Sequence, residues 1–165
     1  MDIAPVGTDR TQLDTDMPPG IERRLVLRLL GHWRQLCADR TMPVVSEIDP
    51  AAIPEIWPYC FLLEIDQSNG LHKYRALGDE IDKFTAPSLI GKIVADAPAD
   101  VLPGLALRYV DEVLEKSVPI SRGGEFFTSN GGRVLYRSIL LPTGDDENGI
   151  SCILGAANCR ELVEN

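Results

Sequence analysis

The sequence predicts an α+β fold: a five-stranded antiparallel sheet with helices on one face and an N-terminal amphipathic helix packing on the other face or at a dimer interface. Three observations predict it. Helix-period and strand-period segments come in the order helix, strand, strand, short helices, long helix, three strands. Adjacent strand segments are joined by hairpin-length turns except where the helices intervene, so neighbours run antiparallel. Two strand segments, around Phe61-Leu62-Leu63 and Ile139-Leu140-Leu141, are apolar without alternation, the pattern of strands covered on both faces.

Each element has its own local cause. Residues 1–20 are polar and carry Pro5, Gly7, Pro18, Pro19 and Gly20, which reads as a flexible leader. From Ile21 to about Asp39, Ile21, Leu25, Leu29, Leu30, Trp33, Leu36 and Cys37 recur at three- and four-residue spacings and make one apolar stripe. Asp49-Pro50 is a helix start, with Asp49 as cap and Pro50 in the first helical position, opening a short helix to Trp57. Tyr59–Ile65 and Leu71–Leu77 are strands joined at Asp66–Gly70, where Asn69-Gly70 readily takes positive φ. Asp79–Thr85 is one or two helical turns and Pro87–Asp96 is irregular. Val101–Lys116 has a strong helical period, and Pro119 lies just beyond its end. Ile120–Thr128, Arg133–Leu141 and Ile150–Asn158 close the chain as strands, with turns at Ser129–Gly132 and Gly144–Gly149.

At 165 residues the chain has the length of one domain, residues 21–165, behind the leader. Sixteen basic against 25 acidic residues give a net charge of −9, which excludes nucleic acid as a general partner and argues against an anionic membrane surface. The charge is uneven. Residues 21–40 hold five basic and two acidic residues, net +3, so a basic amphipathic helix precedes an acidic body. No apolar run is long enough to span a bilayer and no signal-peptide pattern opens the chain, so a cytoplasmic protein is expected. Cys37, Cys60, Cys152 and Cys159 lie far apart and read as buried or free thiols.

Three stretches sharpen the picture. They are His32-Trp33-Arg34-Gln35-Leu36 running on to Arg40-Thr41-Met42-Pro43; Ile48-Asp49-Pro50, Ile53-Pro54, Trp57-Pro58 and Phe61-Leu62-Leu63-Glu64-Ile65; and Tyr74-Arg75-Ala76-Leu77-Gly78 with Leu89-Ile90-Gly91-Lys92 downstream. In this order they resemble a bacterial subfamily of single-domain PAS-like proteins over about residues 25–160. The resemblance implies a sensor or adaptor rather than an enzyme, with a small molecule held between sheet and helices or a protein partner on the outer sheet face, and dimers through an N-terminal helix. Flavin and haem are not expected. A flavin photosensor of the family would carry an N-C-R-F-L-Q-like run after the short helices, where this chain has Asp82-Lys83-Phe84-Thr85-Ala86-Pro87. His32 and His72 fall on the first helix and second strand, away from the long helix where a haem ligand of the family would sit.

No local motif carries catalysis or metal binding. Cys152 and Cys159 are seven apart on a strand and point to opposite faces; His32 and Cys37 are five apart on a helix, a poor chelating offset. Gly91-Lys92 lacks the glycine and hydroxyl residue a phosphate loop needs. Asp79, Glu80 and Asp82 form either an acid/base cluster or a solvated face, and Asp145-Asp146-Glu147 a charged hairpin tip. The candidate pocket comprises Tyr74, Tyr109, Tyr136 and Ser138, offering hydroxyls to a common interior, and Phe61, Phe84, Leu105 and Phe127 as its apolar wall. The tyrosines serve equally as core-edge residues with wet hydroxyls. Arg75 and Arg137 pair with acids such as Glu64 or Glu125, or hold an anionic ligand. Leu25, Leu29, Trp33 and Leu36 are candidate interface residues of a homodimer, and Arg23, Arg24, Arg28 and Arg34 either dock an acidic partner or simply face solvent. The expected function is a non-catalytic sensory or regulatory module whose output passes through a signalling partner. The alternatives are a small cone-fold isomerase or dehydratase, which would need an Asp–His dyad from His32 or His72, and a ligand-free structural adaptor.

Overall fold

The computed structural model describes residues 3–4, 21–83, 89–94, 109–127 and 130–162. Helix α1 spans Ile21–Cys37 and leads into the sheet strands β2 (Cys60–Glu64) and β3 (Lys73–Leu77). The one-turn helix α2 (Asp79–Asp82) and helix α3 (Val110–Lys116) come next. Strands β4 (Ile120–Phe127), β5 (Arg133–Asp145) and β6 (Gly149–Leu162) complete the sheet. Across it the order is β4-β5-β6-β2-β3, with every pairing antiparallel. The expected five strands are all present. A two-residue strand that the leader was not expected to contain, β1 (Ile3–Ala4), adds to the outer edge of β4 opposite Phe126 and Glu125.

Local chemistry sets the boundaries. Helix α1 stops at Cys37 because Ala38 turns into the left-handed region at φ 53°, and the Arg40 side chain caps the last turn by donating to the carbonyls of Leu36 (2.8 Å) and Cys37 (3.3 Å). The Asp49 carboxylate accepts from the Ala51 N–H at 3.0 Å, with Pro50 in the first helical position. From there the chain does not form the continuous helix expected to Trp57. Two 3-10 turns, Pro50–Ala52 and Trp57–Tyr59, replace it, because Pro54 and Pro58 each remove a donor from any longer ladder. Gly70 takes φ 73° in the β2–β3 turn, as expected.

Strand β5 runs past Pro142, where a central strand was expected to stop. Proline can stay because its missing N–H coincides with the end of regular pairing: the register shifts between Thr143 and Gly144, and the Gly144 N–H leaves the ladder for the Pro43 carbonyl at 2.9 Å. The Pro142 carbonyl accepts from the Trp33 indole at 2.9 Å. Beside β3, the segment Leu89–Val94 lies as an irregular edge. The Tyr74 N–H donates to Lys92 O, the Gly91 N–H to Tyr74 O and the Val94 N–H to His72 O. Of the expected helix Val101–Lys116, Val110–Lys116 is helical and residues 101–108 lie outside the described residues.

The register divides the sheet into two faces. Phe61, Leu63, Ile153, Gly155, Leu140, Ser138, Tyr136 and Arg122 share one, which we call inner because Arg122 meets Glu112 of α3 there. Leu62, Leu154, Ala156, Ile139, Leu141 and Thr143 share the outer face and are buried. Helix α1, which packs on β5 and β6, supplies that cover through Leu25, Val26, Leu29 and Trp33. Each such buried side chain contributes roughly 1.5–3 kcal/mol. Both faces are therefore dry, as the unalternating strands predict.

Candidate functional site

The inner face is the candidate site, and the register orders its side chains in rows. Tyr74 stands opposite Leu63, in the row of Ile153 and Pro142. A shift in the β2–β3 pairing next to Leu63 keeps Tyr74 on this face while Arg75 turns to the outer one, where its Nη1 lies 3.7 Å from the Cys152 sulfur. Phe61 occupies the next row, its ring lying flat over Gly155: a β-carbon there would sit 2.3 Å from the ring. Ser138 and Arg122 form the third row, Tyr136 and Gly124 the fourth. The Tyr136 ring covers Gly124 as Phe61 covers Gly155.

The expected common interior thus splits. Tyr74 and Tyr136 share a face, but β6 and β2 run between their strands and three rows separate them, on the order of 20 Å by strand geometry. Near Tyr136 lies a polar group that the sequence did not single out. The Arg122 guanidinium donates to both carboxylate oxygens of Glu112 (2.7 and 2.5 Å), donates to Ser121 O, and sits 4.9 Å from the centre of the Tyr109 ring. Glu112 lies in the first turn of α3 and Arg122 on β4, so only the fold joins them; an arginine near the start of a strand is the sole sequence signal. The Ser138 hydroxyl donates to Arg122 O at 3.4 Å and is spent within the sheet. At the other end, the Tyr74 hydroxyl is buried and meets no hydrogen-bond partner among the described residues. Burial alone pushes its pKa well above the ordinary 10.0, so it is a neutral donor across physiological pH.

Several expected placements change. Phe127 is not an inner wall: it lies in register with Arg133, on the face of Glu125 and Gly123, and is 40% exposed at the end of β4. Strand alternation decides this, and sequence could not fix which parity faced inward. Phe84 and Leu105 lie outside the described residues. Leu25, Leu29 and Trp33 are buried against the chain's own sheet rather than open to a second copy, and Leu36 is half-buried. An amphipathic stripe next to an apolar sheet face satisfies itself within the chain first. Glu125 pairs with Arg133 rather than Arg137, whose guanidinium packs over Gly123, and Arg75 pairs with neither acid expected for it. Arg28 pairs with Glu55 at 2.8 Å.

Neither histidine reaches the inner face in a dyad. His32 rides on α1, and the Nδ1 of His72 accepts from the Asp66 N–H at 3.1 Å in the β2–β3 turn. Cys37, Cys60 and Cys152 are buried, and desolvation raises all three thiol pKa values above their ordinary range. Among the described residues no group of three or more His, Cys, Asp or Glu side chains is placed to hold a metal ion. No described helix is long and apolar enough to cross a membrane.

A family model described as PAS domain matches residues 22–158. No curated protein matches the sequence. Similar solved structures include a light-oxygen-voltage domain studied with a flavin analogue (13% identity, 69% of this chain and 84% of that one, TM-score 0.45). Others are a LOV protein of Rhodobacter sphaeroides (12%, 72% and 70%, TM-score 0.40) and a PAS domain from Colwellia psychrerythraea (12%, 70% and 98%, TM-score 0.39).

Proposed function

The chain belongs to the PAS domain family, and on that premise we propose that it is a non-catalytic sensory or regulatory module that binds a small ligand, a partner protein, or both, in intracellular signalling. The observation that carries the ligand reading is the make-up of the inner face, which sets Tyr74, Tyr136 and the Tyr109–Arg122–Glu112 cluster among apolar side chains. A mostly apolar surface with a few fixed polar groups is the usual form of a small-molecule site. Function sits in that site rather than in the fold as such.

Native mass spectrometry of the freshly purified protein tests the reading. Retained mass that is lost on denaturation supports it; a bare polypeptide mass from several expression hosts, with no shift in melting temperature across a metabolite library, counts against it. An absorption band in the blue would make flavin the retained group, against the expectation from the Asp82–Pro87 run. For a homodimer, the contact moves to the outward side of α1, where Leu27 is exposed. Sedimentation of a Leu27→Glu variant checks it: dissociation of a wild-type dimer supports that placement, and an unchanged dimer removes it.

A further inference from the structure

The inner face holds a buried phenol, that of Tyr74, which meets no hydrogen-bond partner among the described residues. Tyr74 is 1% exposed. A buried hydroxyl left unpaired costs about 1–3 kcal/mol, and a phenylalanine in its place would avoid that cost. The residue is not held there by its backbone alone. Its N–H and C=O bond to Lys92 O and the Gly91 N–H, which any residue supplies equally well. Trapped water is a poor remedy, because a buried water needs two to four polar partners. The side chains of the Tyr74 row, Leu63, Ile153 and Pro142, offer none. Among the described residues no charged side chain shares the Tyr74 row.

We propose that Tyr74 is the anchoring hydrogen-bond donor for an uncharged, mainly apolar small molecule that carries an acceptor atom, such as a carbonyl oxygen or a ring nitrogen. This rests on the reading of the inner face as a ligand site and specifies the ligand's chemistry there. A neutral donor in an apolar row selects against anions, which would be desolvated with no cation opposite them. It selects for a ligand whose single polar atom is satisfied by the phenol while the remainder packs on the apolar row. The Arg122–Glu112 pair lies across the sheet, with β2, β6 and β5 between β3 and β4. Glu112 there also lies 3.7 Å from Lys116, so these charges gather at the end of the face away from Tyr74.

Two shape-matched probes and one variant test the proposal: acetophenone, which bears an acceptor, ethylbenzene, which does not, and Tyr74→Phe, which removes only the oxygen. Binding is titrated by NMR on the full chain, and the ¹³Cζ shift of Tyr74 reports hydrogen bonding at its hydroxyl. Acetophenone should bind the wild type, move that ¹³Cζ resonance and weaken by roughly five- to ten-fold in Tyr74→Phe, the loss of one neutral hydrogen bond. Ethylbenzene should bind both proteins alike. The variant without probe should melt at or above the wild-type temperature, since it loses an unsatisfied group. If Tyr74→Phe weakens both probes equally, or neither, while both still bind, the inner face is a ligand site but Tyr74 is not its donor, and the proposal is overturned. If neither probe binds at millimolar concentration and native mass spectrometry finds no retained mass, the ligand reading fails and the proposal with it.

Discussion

On the outer face the sheet meets α1 through Leu25, Val26, Leu29 and Trp33, and the Trp33 indole nitrogen donates to Pro142 O. On the inner face an equally dry layer admits Tyr74, Tyr136, Ser138 and Arg122. The difference teaches where the chain has spent its freedom. Apolar matching on the outer side holds the fold together, and its buried Ser121 and Thr143 hydroxyls bond sheet carbonyls, whereas the inner side holds a charged pair and the Tyr74 phenol, which has no partner among the described residues.

If that contrast is right, damage to the outer face should cost the most. Trp33→Ala removes a buried ring and strands the Pro142 carbonyl, and is expected to lower unfolding free energy by about 3–5 kcal/mol in urea titration. A loss below about 1 kcal/mol would mean α1 is not the cover of the sheet. Next comes the inner floor. Gly155→Ala drives a methyl group into the Phe61 ring and should cost about 1–3 kcal/mol by the same measurement, with the near-ultraviolet dichroism altered as the ring moves.

The third probe is pH and sharpens the contrast by touching one group on each face. Cys60 on the outer face and Tyr74 on the inner face have pKa values raised by burial above their ordinary 9.0 and 10.0. Above those values the unfolded chain releases protons that the folded chain keeps, so stability is full below about pH 9 and falls as pH rises, by about 1.4 kcal/mol per unit for each such group. Urea titrations at rising alkaline pH should show the fall, Cys60→Ala should flatten its first part, and Tyr74→Phe the part beyond pH 10. The smallest effect belongs to neither face. Arg28 and Glu55 are both largely exposed, so Arg28→Ala should change stability by less than about 1 kcal/mol, and salt should erase the change.

The architecture was legible because its determinants are local. The α1 stripe, the Asp49-Pro50 cap, the Asn69-Gly70 turn and the double-sided apolar strands each state their own structure within a few residues. What was not legible depends on register. Phe127 and Tyr136 are both aromatic residues on neighbouring strands, and only the pairing of Phe127 with Arg133 and of Gly124 with Tyr136 sends their side chains to opposite faces. Tyr74 and Tyr136 read as neighbours because both are inward hydroxyls, but inwardness is shared by a whole face, and the distance along it comes from strand order. The Glu112–Arg122 pair closes between a helix and a strand that have no periodic relation to each other. Strand β5 outruns its expected end at Leu141 because the register shift at Thr143 makes the missing N–H of Pro142 harmless.

The segment Leu89–Val94 also bears on how the protein behaves in a crowd. A bare edge strand is a template on which other chains can add strands and begin to aggregate. The Tyr74 amide and carbonyl are already engaged by Lys92 and Gly91, and Val94 reaches the carbonyl of His72, so the flank of β3 is capped by irregular backbone that cannot propagate a ladder. At concentrations where sheet proteins stick edge to edge, the groups of His72 and Tyr74 on this side are already taken, just as β1 takes those of the far end of β4.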